Sequence, residues 1–414
     1  MATTAAAPPR NLSYMLALLF VLTLGNGVVG FDRSTVSYLA PFIVRDMGLN
    51  NTQIGWIASA LSLAIALSSF FGSQIADSTG RRKQMLIVCT LVFSVLSGAG
   101  GLALTFGFLL ATRFALGLAE GPIVPMSQTL ILNNSSPKWR GFNMGFMQMV
   151  GAFGIAGFFG PIAATWVGAH YGWRTAMYLS IVPGLLVAAL MVFMLRPDDR
   201  APPADRARAG SPIAAFVTLL SNRNMLVILA VAGLFTAWLV LQASFMILFL
   251  TRMKGIDPET AGWVAAMGGP GALAGGILLP WLSDRVGRKP VLVVGALAGI
   301  VGPIALIVLP GQEVPLAIAV LVGWFALGIG PLYCATVPTE SVSPALATTA
   351  VGLSMGFAEL FGGVVVPPVA GRAADLFSLD AIFWICAGLA LATALVALLL
   401  KETAPCKFAL SEED

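Results

Sequence analysis

Charge is what this 414-residue sequence has least of: Asp, Glu, Lys and Arg together make up only 10% of it, against about 25% in soluble domains. Histidine is rarer still, with His170 alone, and the four cysteines (Cys89, Cys334, Cys386, Cys406) never fall in a CxxC spacing. These absences exclude a clustered metal site, a zinc site and a redox motif, so no metal and no cofactor is expected. No nucleophile–base pair stands out either, which speaks against an enzyme. So little charge leaves no room for a disordered chain or a nucleic-acid-binding domain. Nor is there a long polar stretch to form a soluble signalling domain, as a membrane sensor or scaffold would need. What fills the sequence instead is apolar: 58% hydrophobic residues and 45 glycines.

A helix needs about 20 mostly apolar residues to cross a bilayer. Twelve such runs can be marked: 12–44, 52–76, 84–107, 109–133, 141–168 and 173–195, then 224–251, 259–281, 290–309, 314–338, 343–371 and 377–400. The first run continues past Asp32 without a cleavage site and reads as a retained helix. The expected fold class is an all-α membrane protein of twelve transmembrane helices in two six-helix bundles. Residues 1–195 form the first half, 196–223 a proline-rich linker carrying Pro197, Pro202, Pro203 and Pro212, and 224–414 the second half with a short tail. The first and eleventh runs are too long for one straight crossing. Gly25, Gly27 and Gly30 are expected to bend the first, and Gly362, Gly363, Pro367 and Pro368 the eleventh. With both termini cytoplasmic, 16 of the 23 basic residues fall on the cytoplasmic side and five opposite, the asymmetry that orients membrane proteins.

A repeat supports the two halves. Asp77-Ser-Thr-Gly-Arg81-Arg82-Lys follows the second run, and Asp284-Arg285-Val-Gly-Arg288-Lys follows the eighth. A carboxylate near a helix end can pair with guanidinium groups of a neighbouring loop and latch the cytoplasmic side shut. Asp77, Arg81, Arg82, Asp284, Arg285 and Arg288 are therefore candidate gate residues. The repeat resembles the Gly-x-x-x-Asp-Arg-x-Gly-Arg-Lys pattern of the major facilitator superfamily, with Ser73 and Pro280 at the first glycine and Ser78 at the first arginine. The resemblance implies two six-helix bundles around a central cavity, working as a monomer in the cell membrane.

Charge inside the membrane costs several kcal/mol, about 2.5–3.5 for Asp, Lys or Arg on insertion scales. It persists where it faces a cavity or is paired. Asp32 and Arg33 lie deep in the first run, Arg113 and Glu120 in the fourth. The last two are seven apart and share a helix face. Two acids and two bases on two helices look like a proton relay beside an anion site, the alternative being an ion network that only fixes packing.

Phe31-Asp32-Arg33-Ser34 with Ser37-Tyr-Leu-Ala-Pro41, and Arg113-Phe-Ala-Leu-Gly117-Leu-Ala-Glu120-Gly121 with Pro125, resemble the first and fourth helices of the anion:cation symporters. Trp139-Arg140-Gly141 and Gly172-Trp173-Arg174 resemble the loops that follow. The resemblance implies proton-coupled symport of a small organic anion, a carboxylate. It makes Asp32 and Glu120 the protonatable groups, Arg113 the salt-bridge partner of Glu120, Arg33 the substrate's carboxylate contact and Gln148 a polar contact. Gly30 stands where many members carry tyrosine. In the second half, Phe235, Trp238 and Gln242 share a face of the seventh helix and serve either as packing or as cavity wall. Trp324 is a further candidate for the wall, and Glu359 a third intramembrane carboxylate. Glu359 could bind a substrate hydroxyl, couple a proton or reach Arg372. The rival function is a proton-coupled drug efflux antiporter. The expected partners are thus the anion, protons and the lipid bilayer.

Overall fold

A computed structural model gives the architecture and describes residues 12–79, 81–136, 139–196, 212–343 and 346–404. In hydrocarbon a backbone amide has no water to turn to, so so apolar a chain must satisfy its hydrogen bonds within helices. Helices are what the described residues form, with no strand among them. Twelve are long and apolar enough to cross a membrane. Spans 1 to 6 are Leu12–Tyr38, Asn51–Ser69, Arg82–Leu102, Phe106–Asn134, Arg140–Tyr171 and Trp173–Met194. Spans 7 to 12 are Arg223–Met253, Pro258–Val286, Arg288–Val308, Glu313–Glu340, Thr349–Leu376 and Asp380–Ala397. Spans 1–6 pack as one bundle and spans 7–12 as a second. An even number of crossings puts the first and last spans' outer ends on one face, here the terminal face; the opposite one is the far face.

Local sequence sets the span ends. Thr105 accepts from Phe108 N at 3.3 Å to start span 4, and Asn222 accepts from Met225 N at 3.2 Å to start span 7. Asp257, followed by Pro258 in the first turn, accepts from Glu259 N and Thr260 N at 3.1 and 3.0 Å to start span 8. Each side chain satisfies amides that a helix start leaves bare.

The bends fall partly elsewhere than expected. Span 1 runs unbroken through Gly25, Gly27 and Gly30 to Tyr38; the chain turns at Leu39, and Pro41 sits in the first turn of the short helix Ala40–Met47. Proline lacks the amide that would continue the ladder. The glycines act by close approach instead: a Cβ on Gly27 would lie 2.9 Å from Ile155, and one on Gly30 2.9 Å from Ala156. Span 4 breaks at Gly121-Pro122, between Phe106–Glu120 and Ile123–Asn134. In span 11 the irregular stretch Glu359–Val365, with wide π-type turns, includes the glycines that were expected to bend it. Span 5 has a similar wide stretch, Val150–Phe159. Residues 197–211 of the expected linker lie outside the described residues, and a helix, Pro212–Leu220, follows them.

The halves are zipped on the far face. Asp375 at the end of span 11 accepts from Asn51 N (2.9 Å), Thr52 N (3.0 Å) and Thr52 Oγ1 (2.5 Å) at the start of span 2. Ser59 donates to Val364 O at 2.7 Å, and His170 lies 3.5 Å from Glu259. On the terminal side, the first segment of span 11, Ala347–Ala358, packs chiefly within its own bundle. The bundles thus meet at the far rim and part towards the terminal face.

Candidate functional site

Asp32 and Arg33 are consecutive on a helix, so their side chains diverge by about 100°. That divergence decides their surroundings. Arg33 is exposed to a cavity of about 310 Å³ between the bundles, while Asp32 is fully buried behind it. The first bundle contributes Arg33, Arg113 and Gln148 to the lining, and the second contributes Gln242, Trp324 and Glu359. The wide turns of spans 5 and 11 supply part of this wall, with Ala152, Phe153 and Gly157 from one and Glu359 from the other. Such turns recur at functional sites because they rotate side chains out of the regular helical register.

Several polar atoms in this wall have no protein partner. Both amide atoms of Gln242, Gln148 Oε1 and Trp324 Nε1 are buried without a hydrogen bond. Buried polar atoms are costly when unpaired, and a cavity is where a bound solute can meet that need.

Asp32 and its neighbours form a second cluster. Ser97 Oγ donates to Asp32 Oδ1 at 2.7 Å and stands 2.7 Å from Ser180 Oγ. Arg113 is 1% exposed, and its Nη1 donates to the main-chain oxygen of Asp32 at 3.1 Å. Its Nε and Nη2 have no partner, and neither do the two carboxylate oxygens of Glu120, itself 1% exposed. The expected Arg113–Glu120 pair is therefore not hydrogen-bonded in this state. Seven residues of helix separate the two by about 10 Å along the axis, and the guanidinium turns across to span 1 instead.

Trp238 corrects the reading of the seventh helix as cavity wall. It is fully buried, stacks on Phe235 with ring centroids 4.9 Å apart, and donates from Nε1 to Gly299 O at 2.9 Å. It packs the second bundle rather than lining the cavity; Gln242, one turn further on, does line it. Glu359 also lines it, and a Cβ on Gly363 would lie 2.7 Å from Ser62 Oγ and 2.9 Å from Glu359 Oε2.

Of the candidate gate residues, Asp77 lies outside the residues whose side chains are described. Arg81 is exposed where span 3 begins, and Arg82 is 5% exposed. Arg285 lies over the ring of Trp281, 3.9 Å from its centroid. Arg288 pairs with Asp284 one turn before it and, through Nη2, with Glu340 at 2.8 Å. This network joins spans 8, 9 and 10 within one bundle, not a neighbouring loop across the seam. Its neighbour is the tail: Glu402 accepts from Arg288 N at 2.7 Å and Lys289 N at 3.2 Å, and Thr403 Oγ1 donates to Glu340 at 2.7 Å. Partial burial opposes ionisation of Glu402, but its four main-chain amide donors outweigh that and hold its carboxyl below the usual carboxylate range. On the far face, the Arg174 guanidinium and then the Trp173 indole N–H hold Asp46 below that range too. Sequence reasoning missed Glu340, Glu402, Asp375, Ser97 and Ser180. Glu340 carried a signal, an acid at the end of an apolar run; the two serines carried none.

Known proteins share this architecture. The family model described as Major Facilitator Superfamily matches residues 22–360 and 241–413. The hexuronate transporter of Bacillus subtilis is 28% identical over 276 residues, 64% of this chain and 65% of its own length. Multidrug export protein EmrB of Haemophilus influenzae is 28% identical over 183 residues, 44% of this chain and 35% of its own. Among solved structures, a mutant of the nucleoside transporter NupG superposes with a TM-score of 0.78 at 15% identity, covering 94% of this chain and 100% of its own. The chain belongs to the Major Facilitator Superfamily of transporters.

Proposed function

We propose that this protein is a proton-coupled symporter of a small organic anion, a carboxylate. It would work as a monomer by alternating access between the halves 1–195 and 224–414, with 196–223 as the cytoplasmic linker. The observation that carries the reading is the divergence of neighbours in span 1: Arg33 opens onto the cavity, with the nearly buried Arg113 also in its wall, while Asp32 and Glu120 are buried behind that wall. The guanidinium of Arg33 suits a carboxylate, bidentate and always charged. Glu120, buried without a hydrogen bond, is costly as a charge and cheap as a neutral acid. A proton on Glu120 and an anion on Arg33 together lower the charge that the moving halves must desolvate. The terminal face, with most of the basic residues, is taken as cytoplasmic, which makes this the inward-facing state in the cell membrane. Uptake of a labelled hexuronate, and of aromatic and short monocarboxylates, into proteoliposomes under a pH jump tests the reading. Accumulation should need the gradient and disappear in Glu120→Gln, with exchange across equal pH retained; gradient-driven accumulation in both Asp32→Asn and Glu120→Gln would sink it.

Proton-coupled drug export is the second reading. Glu359 in the cavity wall favours it, since a carboxylate there attracts cations, and so does the likeness to the multidrug export protein. Resistance of a pump-deficient host to cationic dyes separates the two.

A further inference from the structure

Behind Arg33, four oxygens stand in a row through the first bundle. Asp32 Oδ1 lies 2.7 Å from Ser97 Oγ, which lies 2.7 Å from Ser180 Oγ, which lies 2.8 Å from Met177 O. Asp32 and Ser97 are fully buried and Ser180 is 2% exposed. Each of the three contacts is a hydrogen bond and needs one hydrogen. The two serines bring two, and the carbonyl brings none. With Asp32 ionised, one buried contact would set lone pairs against lone pairs. With Asp32 protonated the row is complete: the acid donates to Ser97, Ser97 to Ser180, and Ser180 to Met177 O.

The row has little freedom to relax. A Cβ on Gly98 would collide with Ile181, and one on Gly184 with Ser94, so spans 3 and 6 approach closely on both sides of the serines. Ser180 stands at the junction of two helical segments, Trp173–Leu179 and Ile181–Met194. The charged groups around Asp32 are Arg113 and Glu120 from span 4 and Arg33 beside it in span 1; spans 3 and 6 bring only the two hydroxyls to it. Arg113 donates from Nη1 to the main-chain oxygen of Asp32 and not to its carboxyl, and Asp32 Oδ2 has no hydrogen-bond partner.

We propose that Ser97 and Ser180 are positioning residues that register the proton on Asp32, completing a directed hydrogen-bond row to span 6 only while Asp32 is protonated. When the proton leaves, Ser97 turns to donate to the carboxylate, and Ser180 keeps either Ser97 or Met177 O but not both. The proton's departure is then felt at the junction in span 6. This deepens the reading of Asp32 as a coupling residue and rests on it, yet its test needs no transport.

The test is an infrared titration of the purified full-length protein without substrate, following the C=O stretch of protonated carboxyl groups. A band lost in Asp32→Asn and kept in Glu120→Gln belongs to Asp32. Removing the Ser180 hydroxyl frees Ser97 to serve the ionised form, so in Ser180→Ala the band should titrate about one unit lower in pH. Removing the Ser97 hydroxyl takes away the carboxyl's donor at 2.7 Å, so in Ser97→Ala it should titrate higher and absorb at higher frequency. Ser180→Thr should restore the wild-type midpoint. If Ser97→Ala does not fold, Ser97→Cys should show the same shift in smaller degree. An Asp32 band absent from the wild type at every pH at which it stays folded, unchanged midpoints, or shifts of one sign in both alanine variants would overturn the proposal. An intact pattern in a protein that accumulates no anion overturns the transport reading and leaves the serine assignment standing.

Discussion

Replacing Asp375 with alanine removes three hydrogen bonds that cross from one bundle to the other. Two go to the first amides of span 2 and one to the Thr52 hydroxyl. The carboxylate is an N-cap supplied by the opposite half. A lost N-cap costs about 0.5–2 kcal/mol, and a lost anion at a helix N-terminus about 0.3–1. The site is exposed, so water replaces part of the loss, and about 1–2 kcal/mol is expected overall. The bonds exist only while the far rim is closed, so the whole cost falls on that state. The ratio of closed to parted rim should drop roughly 5- to 30-fold. Spin labels at Leu104→Cys and Phe377→Cys, on the two halves' far loops and each 82% exposed, read the rim distance once the native cysteines are replaced. Asp375→Ala should enlarge the longer-distance population, and Asp375→Asn, which keeps an acceptor without charge, should fall between. A folded Asp375→Ala protein with an unchanged or tighter distribution would refute the idea that this cap holds the rim.

Arg33→Lys keeps the charge but loses the fork, so the KM of the transported anion should rise by about tenfold, while Arg33→Ala should stop transport; equal kinetics in both would count against Arg33 as the carboxylate contact. Trp238→Phe should cost about 1 kcal/mol of stability through the lost bond to Gly299 O with KM unchanged, and Trp238→Ala about 3–5 kcal/mol; a KM change in a stable Trp238→Phe protein would return Trp238 to the cavity wall. Glu402→Gln should cost about 1 kcal/mol in thermal unfolding by weakening the cap on span 9, and an unchanged Tm would show the tail to be idle. Asp46 and Glu402 have carboxyls held below their ordinary values. Their stabilisation is therefore present above the unfolded value near pH 4 and is lost as pH falls through the lower native one. Asp46 is exposed and Glu402 only partly buried, so each share is small, and Arg174→Ala should remove the Asp46 share from a melting curve taken between about pH 7 and pH 3.

Much of the site was legible because lipid leaves so few reasons for charge. Asp32, Arg33, Arg113 and Glu120 stood out against apolar runs, and their cost marked them. Glycine was legible as important but not in its role: Gly27 and Gly30 looked like hinges and are instead places where span 5 lies against span 1. Trp238 and Gln242 were not separable, since a shared helix face does not say where a cavity ends. Ser97 and Ser180 were illegible because serine is cheap in a helix, bonding its own turn as Ser94 does to Thr90 O.

The sequence by itself determined the class, the count of crossings and the side on which positive charge collects. Each of these follows from the transfer of single side chains between water and lipid, a property of composition and order along the chain. Only the tertiary structure decided which neighbour of the pair Asp32-Arg33 meets the cavity, that Arg113 turns to span 1, and that Asp375 caps a helix of the other half. Those depend on how helices rotate and approach one another, set by contacts between residues as far apart as Asn51 and Asp375.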